Sequence, residues 1–279
     1  MKKLMIVAAA MGLMNSVQLA ALPFTGTEIT IFDGNSTNEK WHRGSVSKPR
    51  EDGEVEPGMQ HGQIWDLEGF WLQDNGGLAI VGGYDFKNGQ SGFDAGDIFV
   101  DIDGDNIAIN QGGVHGGDKG NTEVVDTFGY DYVFDIDWEA QTYELRELTD
   151  SSVTSEAFYK ANYSSSAWLY VGEDGNNGLA DSVASGSFDY ETGLTDAEAG
   201  YKGDGRRKKG THKTAYNFDL SWFVENGIDS AYFHNTMGCG NDNLMGYAEK
   251  IGTRKVPEPS SVALLALGVI GLTVLRRKA

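Results

Sequence analysis

From about residue 63 to residue 237 the chain runs in short stretches where apolar and polar positions alternate, interrupted by Gly, Asp and Asn. That period of two is the signature of half-buried strands separated by tight turns. The longest stretch is Tyr130 to Trp138, in which Tyr130, Tyr132, Phe134, Ile136 and Trp138 take one face and Asp131, Val133, Asp135 and Asp137 the other. Gln141 to Leu148 follows across a short turn and reads as its hairpin partner. Upstream, Gln63 to Leu72 and Leu78 to Phe86 flank Asp74-Asn75-Gly76-Gly77, where Asn-Gly supplies the positive φ angles of a hairpin turn. Further strands are expected at Glu28 to Phe32, Asp97 to Asp103, Ala167 to Val171, Ser185 to Tyr190, Thr214 to Phe223 and Ala231 to Met237. Asp33 to Gly62 reads as a long polar loop. Gly172 to Gly210 reads as a second one, mobile around Arg206-Arg207-Lys208-Lys209. About nine short strands with 38 glycines to turn them point to an all-β fold, an antiparallel β-sandwich of the jelly-roll kind.

The two ends break this period. Met1-Lys2-Lys3 precedes apolar Leu4 to Leu13, the layout of a secretory signal peptide ending near residue 21. At the other end Pro257-Glu258-Pro259 precedes Ser261 to Leu275, which carries no charge, and then Arg276, Arg277 and Lys278. Fifteen residues are short for a spanning helix, but the basic side chains can snorkel and prefer the cytoplasmic side. This order of elements resembles the PEP-CTERM sorting signal of Gram-negative surface proteins. The resemblance implies export across the inner membrane, a transient hold there by the C-terminal helix, and cleavage by an exosortase at Pro257-Glu258-Pro259 with Arg276 and Arg277 behind it. The expected organisation is a signal peptide over 1–21, one extracytoplasmic domain over 22–255, and a sorting signal with transmembrane helix and basic tail over 256–279. Within the domain, Trp65 to Leu72, Gly96 to Ile102 and Gly129 to Ile136 are similar in order and flavour to β-sandwiches of the DOMON and family-9 carbohydrate-binding type. That second resemblance implies a fold and a leaning toward sugar.

Charge narrows the partners. The whole chain carries −19, and without its two ends 17 basic residues face 40 acidic ones, a net of −23. Such a surface repels nucleic acid and anionic lipid and attracts cations. Cys239 is the single cysteine, so no internal disulfide braces the exported domain. The best cation candidate is Asp101, Asp103 and Asp105, hard oxygens presented by a Gly-containing turn that suits calcium. It is not an EF-hand, because Asn106 stands at the sixth loop position and Gly112 at the twelfth. The competing reading is that these aspartates only end a strand and form a turn. His234, Cys239 and Asn241 have the residue types of a nucleophile, a base and an orienting amide. A lone cysteine near a strand end is more often a small core residue. His42, His61, His115 and His212 lack zinc spacing, and neither a phosphate-binding Gly loop nor a Gly-x-Ser-x-Gly elbow is present. No enzyme activity is expected. The six tryptophans should mostly be core, with some available for sugar stacking. The expectation is an exported structural or adhesive surface protein linked to exopolysaccharide. The alternatives are a calcium-assisted carbohydrate-binding module and, third, a secreted hydrolase.

Overall fold

The computed structural model describes residues 22–31, 62–105, 122–158, 165–175, 178–195, 198–199 and 211–252. The expected leader, the loop from 33 to 61, Arg206 to Lys209 and the sorting segment from 256 lie outside them. The described residues form fourteen strands in three antiparallel sheets. One sheet runs in the order β1 (Gly26–Glu28), β2 (Leu67–Gln73), β3 (Gly77–Gly82), β12 (His212–Asp219), β11 (Asp189–Leu194). The second runs β10 (Ser182–Ser187), β7 (Thr142–Glu147), β6 (Tyr132–Asp137), β4 (Ile98–Asp101), β13 (Ala231–Thr236), β14 (Asn243–Ala248). A third, smaller sheet comprises β5 (Glu123–Val125), β8 (Ser152–Ser155) and β9 (Leu169–Glu173).

The first two sheets make the expected sandwich. Phe70, Leu78, Ile80 and Phe218 from one meet Ile98, Val100, Phe134 and Phe233 from the other in one buried cluster. Aromatic rings dominate this core. Phe218 stacks on Phe188 at 4.6 Å between centroids, and Phe134 meets both Tyr143 and Phe218 edge to face. Such pairs add about 0.5–1.5 kcal/mol each beyond the area they bury. Both open flanks are closed by a chain that changes sheet. After β1, Ile29 N donates to Phe70 O of one sheet, and then Ile31 N donates to Met245 O of the other. Gly246 is required there, because a Cβ on it would stand 2.9 Å from Phe70 Cβ. On the opposite flank β10 ends at Ser187 in one sheet and β11 begins at Asp189 in the other, with buried Phe188 as the corner.

Several sequence expectations change. Ser185 to Tyr190 is not one strand but the junction of two, so Gly172 to Gly210 is not a plain loop. Thr214 to Phe223 stops as a strand at Asp219, and Ser221–Glu225 forms the one short α-helix, α1, among the described residues. The Asp74 to Gly77 turn uses a positive φ only at Gly76; Asn75 contributes its side chain, whose Oδ1 accepts from Gly77 N. Tyr130 does not join Tyr132 and Phe134 on the sandwich face. It precedes β6 and packs with Phe99, Val133, Leu148 and Tyr170 on the far side of the second sheet, where the third sheet lies. Alternation gave that far side to the acids, and the third layer escaped notice because β5 and β8 are only three and four residues long.

One residue fastens that layer. Asp97, 1% exposed, stands before β4. Its Oδ1 accepts from Ile136 N of β6 at 3.0 Å and its Oδ2 from Tyr170 N of β9 at 2.8 Å. Its own N–H donates to Trp168 O, and its carbonyl accepts from Asn235 Nδ2 of β13. Burial, reinforced by the Asp135 charge, pushes its carboxyl up to about 8 against the two amide donors and Arg146. Raised above the ordinary 3.8, this group contributes stability that is complete below about pH 4 and is lost as pH rises through about 8. Burial pushes His234 the other way, from 6.5 to about 4, so its contribution is lost as pH falls below about 6.5. The two cancel from about pH 4 to 6.5 and leave one proton's slope above it. Denaturant titration should therefore show stability falling by about 1 kcal/mol per pH unit between pH 6.5 and 8. Asp97→Asn should be less stable, because its amide accepts at one atom only, and flat across that window. A wild type with no slope there would mean that Asp97 is not held in this buried geometry.

Candidate functional site

The third sheet covers part of the second sheet's outer face and leaves a row of side chains running across the strands beside it. Tyr247 of β14 is the cross-strand partner of Tyr232 of β13, and Tyr232 is the partner of Asp101 of β4. Asp131 comes next, one position beyond the Val100–Tyr132 pair, with its N–H donating to Val100 O. Cross-strand partners share a face, so the row reads tyrosine, tyrosine, aspartate, aspartate. The two rings lie 4.4 Å apart between centroids with planes 32° apart, and Tyr247 is 37% exposed.

The turn after β4 folds against this row. Asp101 Oδ1 accepts from Asp103 N at 2.9 Å and Gly104 N at 2.6 Å, while Asp131 Oδ2 accepts from Ile102 N at 2.7 Å. Gly104 has φ of 86° and sits where a Cβ would lie 3.6 Å from the Tyr232 ring, so the turn is packed beside the aromatic pair. One carboxylate oxygen each from Asp101, Asp103 and Asp131 lies within 4.8 Å of the others. Two members of the expected trio thus come together with Asp131. Asp105 lies on the exposed side of the turn, outside that group, with its N–H on Asp103 Oδ1. Burial pushes the Asp131 carboxyl up, and the charges of Asp103, Asp101 and Asp105 add to this against the Ile102 hydrogen bond. Slight burial and the Asp103 and Asp101 charges push Asp105 up as well. Hard oxygens gathered this closely suit a divalent cation, and carboxylates beside aromatic faces suit an organic one.

The row was only half legible. Asp101 and Asp103 stood out as a motif, but Asp131 joins them through register, and the tyrosine pair depends on β14, which alternates poorly in Asn243 to Ala248. The described tryptophans instead serve the interior: Trp65, Trp138 and Trp222 pack against the sandwich core, Trp71 against a small cluster with Val81, and Trp168 is buried, while Trp41 lies outside the described residues.

Two other constellations are internal. Cys239 belongs to the sandwich core, whereas His234 faces the other side of the second sheet, stacked on Tyr130 at 5.3 Å with its Nε2 on Ala167 O. The nucleophile and base types of the sequence motif are therefore separated by the sheet. His212, which lacks zinc spacing to the other histidines, has its Nδ1 2.6 Å from Glu68 Oε2, with Gln63 Nε2 3.2 Å from the same nitrogen; His212 and Glu68 are both buried. No sequence spacing announces that pair, because it joins β12 to the bulge in β2 across 144 positions.

Residues 255–278 match the PEP-CTERM protein-sorting motif. The chain thus carries the signal of an exported protein that is held at the membrane by its C-terminal end and processed there by an exosortase. No helix among the described residues is long and apolar enough to cross a membrane, and the matched segment lies outside them. No match was found among curated proteins or among solved structures.

Proposed function

We propose that the processed protein is a structural or adhesive component of the cell surface or extracellular matrix, acting in association with exopolysaccharide. The sorting motif carries this reading, since it delivers the domain outside the cell and then releases it from its membrane hold. The rest of the molecule is compatible. Cys239, His234, Glu68 and His212 are buried and taken up in packing or hydrogen bonds. A third sheet laid over the sandwich, and a chain paired along the edge of β14, suit an exported protein that has no internal disulfide.

The Asp101, Asp103 and Asp131 oxygens within 4.8 Å of one another favour a second reading, a calcium-assisted carbohydrate-binding module. A bound divalent ion would turn repulsion among three carboxylates into attraction and leave coordination positions for sugar hydroxyls.

Two measurements separate these readings from their failures. Mass spectrometry of the surface-exposed protein should find residues 262 to 279 missing, and the protein should shed into the medium when exopolysaccharide synthesis is disabled. An intact C-terminus on surface protein, or retention without exopolysaccharide, contradicts the first reading. For the second, calcium at 100 times its dissociation constant adds about 2.7 kcal/mol, a rise of several degrees in Tm over chelator for a domain of this size. The Asp103→Asn/Asp131→Asn variant should lose that rise. Equal rises in both proteins would reduce the effect to charge screening.

A further inference from the structure

We propose that the cleft between the Leu22 to Thr25 arm and the outer face of the first sheet is a subsite for a neutral sugar unit, a hexose that carries hydroxyls and no charge. This rests on the first reading above and says where on the domain the glycan is held and which glycan chemistry is taken.

Leu22 and Phe24 precede β1 and lie over the side of the first sheet that faces away from the sandwich core, against Trp71 of β2 and Val81 of β3. Beside them opens a cleft of about 440 Å³, within the size range of small-molecule sites. Part of its lining is apolar. The Phe24 and Tyr216 rings stand 5.6 Å apart with planes inclined by 37°, and Trp71 meets Phe24 edge to face. The polar part is three linked carboxamides. Gln73 Nε2 and Asn75 Nδ2 both donate to Asn217 Oδ1, at 3.1 and 2.9 Å, while Gln73 Oε1 accepts from Asn217 N at 2.7 Å. Asn217 sits at the bulge of β12 with φ of 73°, and the bulge turns its side chain out of the ladder into this network. Gln73, which holds it there, is 4% exposed.

Three things select the occupant. The first is the bonding capacity left over. Each amide NH2 group uses one hydrogen inside the network, or on Asp189 Oδ2 in the case of Asn217, and keeps a second. Gln73 Oε1 and Asn75 Oδ1 accept one bond each and keep a second lone pair. A fixed set of neutral donors and acceptors matches hydroxyls, which do both, and the aromatic lining matches the C–H face of a sugar ring. The second is charge. Among the described residues, none of the eight that line the cleft is charged, so neither an ammonium nor a carboxylate finds a counter-ion there. Asp189 and Glu191 beside it are taken by Asn217 Nδ2 and the Tyr216 hydroxyl. With −19 on the chain an acidic sugar is repelled. The third is topology. A peptide's usual route onto a sheet is to add as a strand, but β2, β3 and β12 are interior strands, paired on both sides.

The test is NMR titration of the exported protein, following the side-chain amide signals of Gln73, Asn75 and Asn217. The probes are neutral gluco-, manno- and galacto-tetrasaccharides and an oligogalacturonate of the same length. At least one neutral tetrasaccharide should shift all three signals saturably, and the oligogalacturonate should bind about tenfold more weakly or not at all. Asn75→Ala and Phe24→Leu alter residues outside the sandwich core, so both variants should stay folded with a Tm close to that of the wild type. Each should weaken binding about fivefold, the worth of one hydrogen bond or one ring contact. No shift of these amides with any neutral sugar, equal or tighter binding of the oligogalacturonate, or unchanged affinity in both variants would overturn the proposal. The first reading is checked separately by titrating the exopolysaccharide of the producing cell. Binding of that polymer with the three amides unmoved sinks only this inference, and no binding of it contradicts the first reading.

Discussion

The three layers of this protein meet at one buried carboxylate. Asp97 is placed where the pairing of β4 with β6 runs out, so the amide of Ile136 has lost its ladder partner and takes Asp97 Oδ1 instead. The other oxygen holds Tyr170 N in the outer sheet. The main chain around it is equally engaged. Gly96 N donates to Thr236 O, and Gly96 O accepts from both Trp138 Nε1 and Asn235 Nδ2. A carboxyl group suits this node because it turns one oxygen toward each neighbour, Oδ1 to Ile136 N and Oδ2 to Tyr170 N. Burial beside the Asp135 charge raises its pKa to about 8, so the proton is kept at neutral pH and ionisation above that costs stability.

Because the outer sheet is fastened there, the second sheet is covered on both faces over part of its area, and the third sheet does not extend over the rest. That division determines what the protein can present to the outside. Phe99 and Val133, on the face that alternation assigned to solvent, lie under the third layer at 0% exposure. Along the same face the Tyr232–Tyr247 pair and the acidic turn after β4 are left beside it. The interior polar pairs, Glu68 with His212 and His234 with Ala167, secure elements to one another. A chain with a single cysteine can use such buried polar pairs to fix layer positions that apolar packing alone leaves degenerate.

The sequence revealed the sandwich because its core strands are long enough to show a period. Tyr132 to Asp137 and Thr142 to Glu147 pair as their alternation implies, from Tyr132 with Glu147 to Asp137 with Thr142. It hid the third layer because three- and four-residue strands carry no measurable period, and because Val133 was one apolar position among aspartates. The Asp101 and Asp103 motif was visible since both lie in one turn. Asp131 and the tyrosine pair were not, since only the registers of β4, β6, β13 and β14 bring them into a row. The sorting motif was legible throughout, because its information lies in the order of three local features and needs no fold to read.

The claim that Asp97 fastens the outer sheet is tested most directly by amide hydrogen exchange, residue by residue, in wild type and in Asp97→Ala. The amides of Tyr170 and Ile136 lose their acceptors in the variant, so they should exchange fast. Protection across β8 and β9 should fall with them as one cooperative unit, while Phe70, Ile80 and Ala215 in the first sheet keep theirs. If β8 and β9 stay as protected as the first sheet, the layer is held by the Phe99, Tyr130 and Leu148 cluster alone, and the account of Asp97 is wrong.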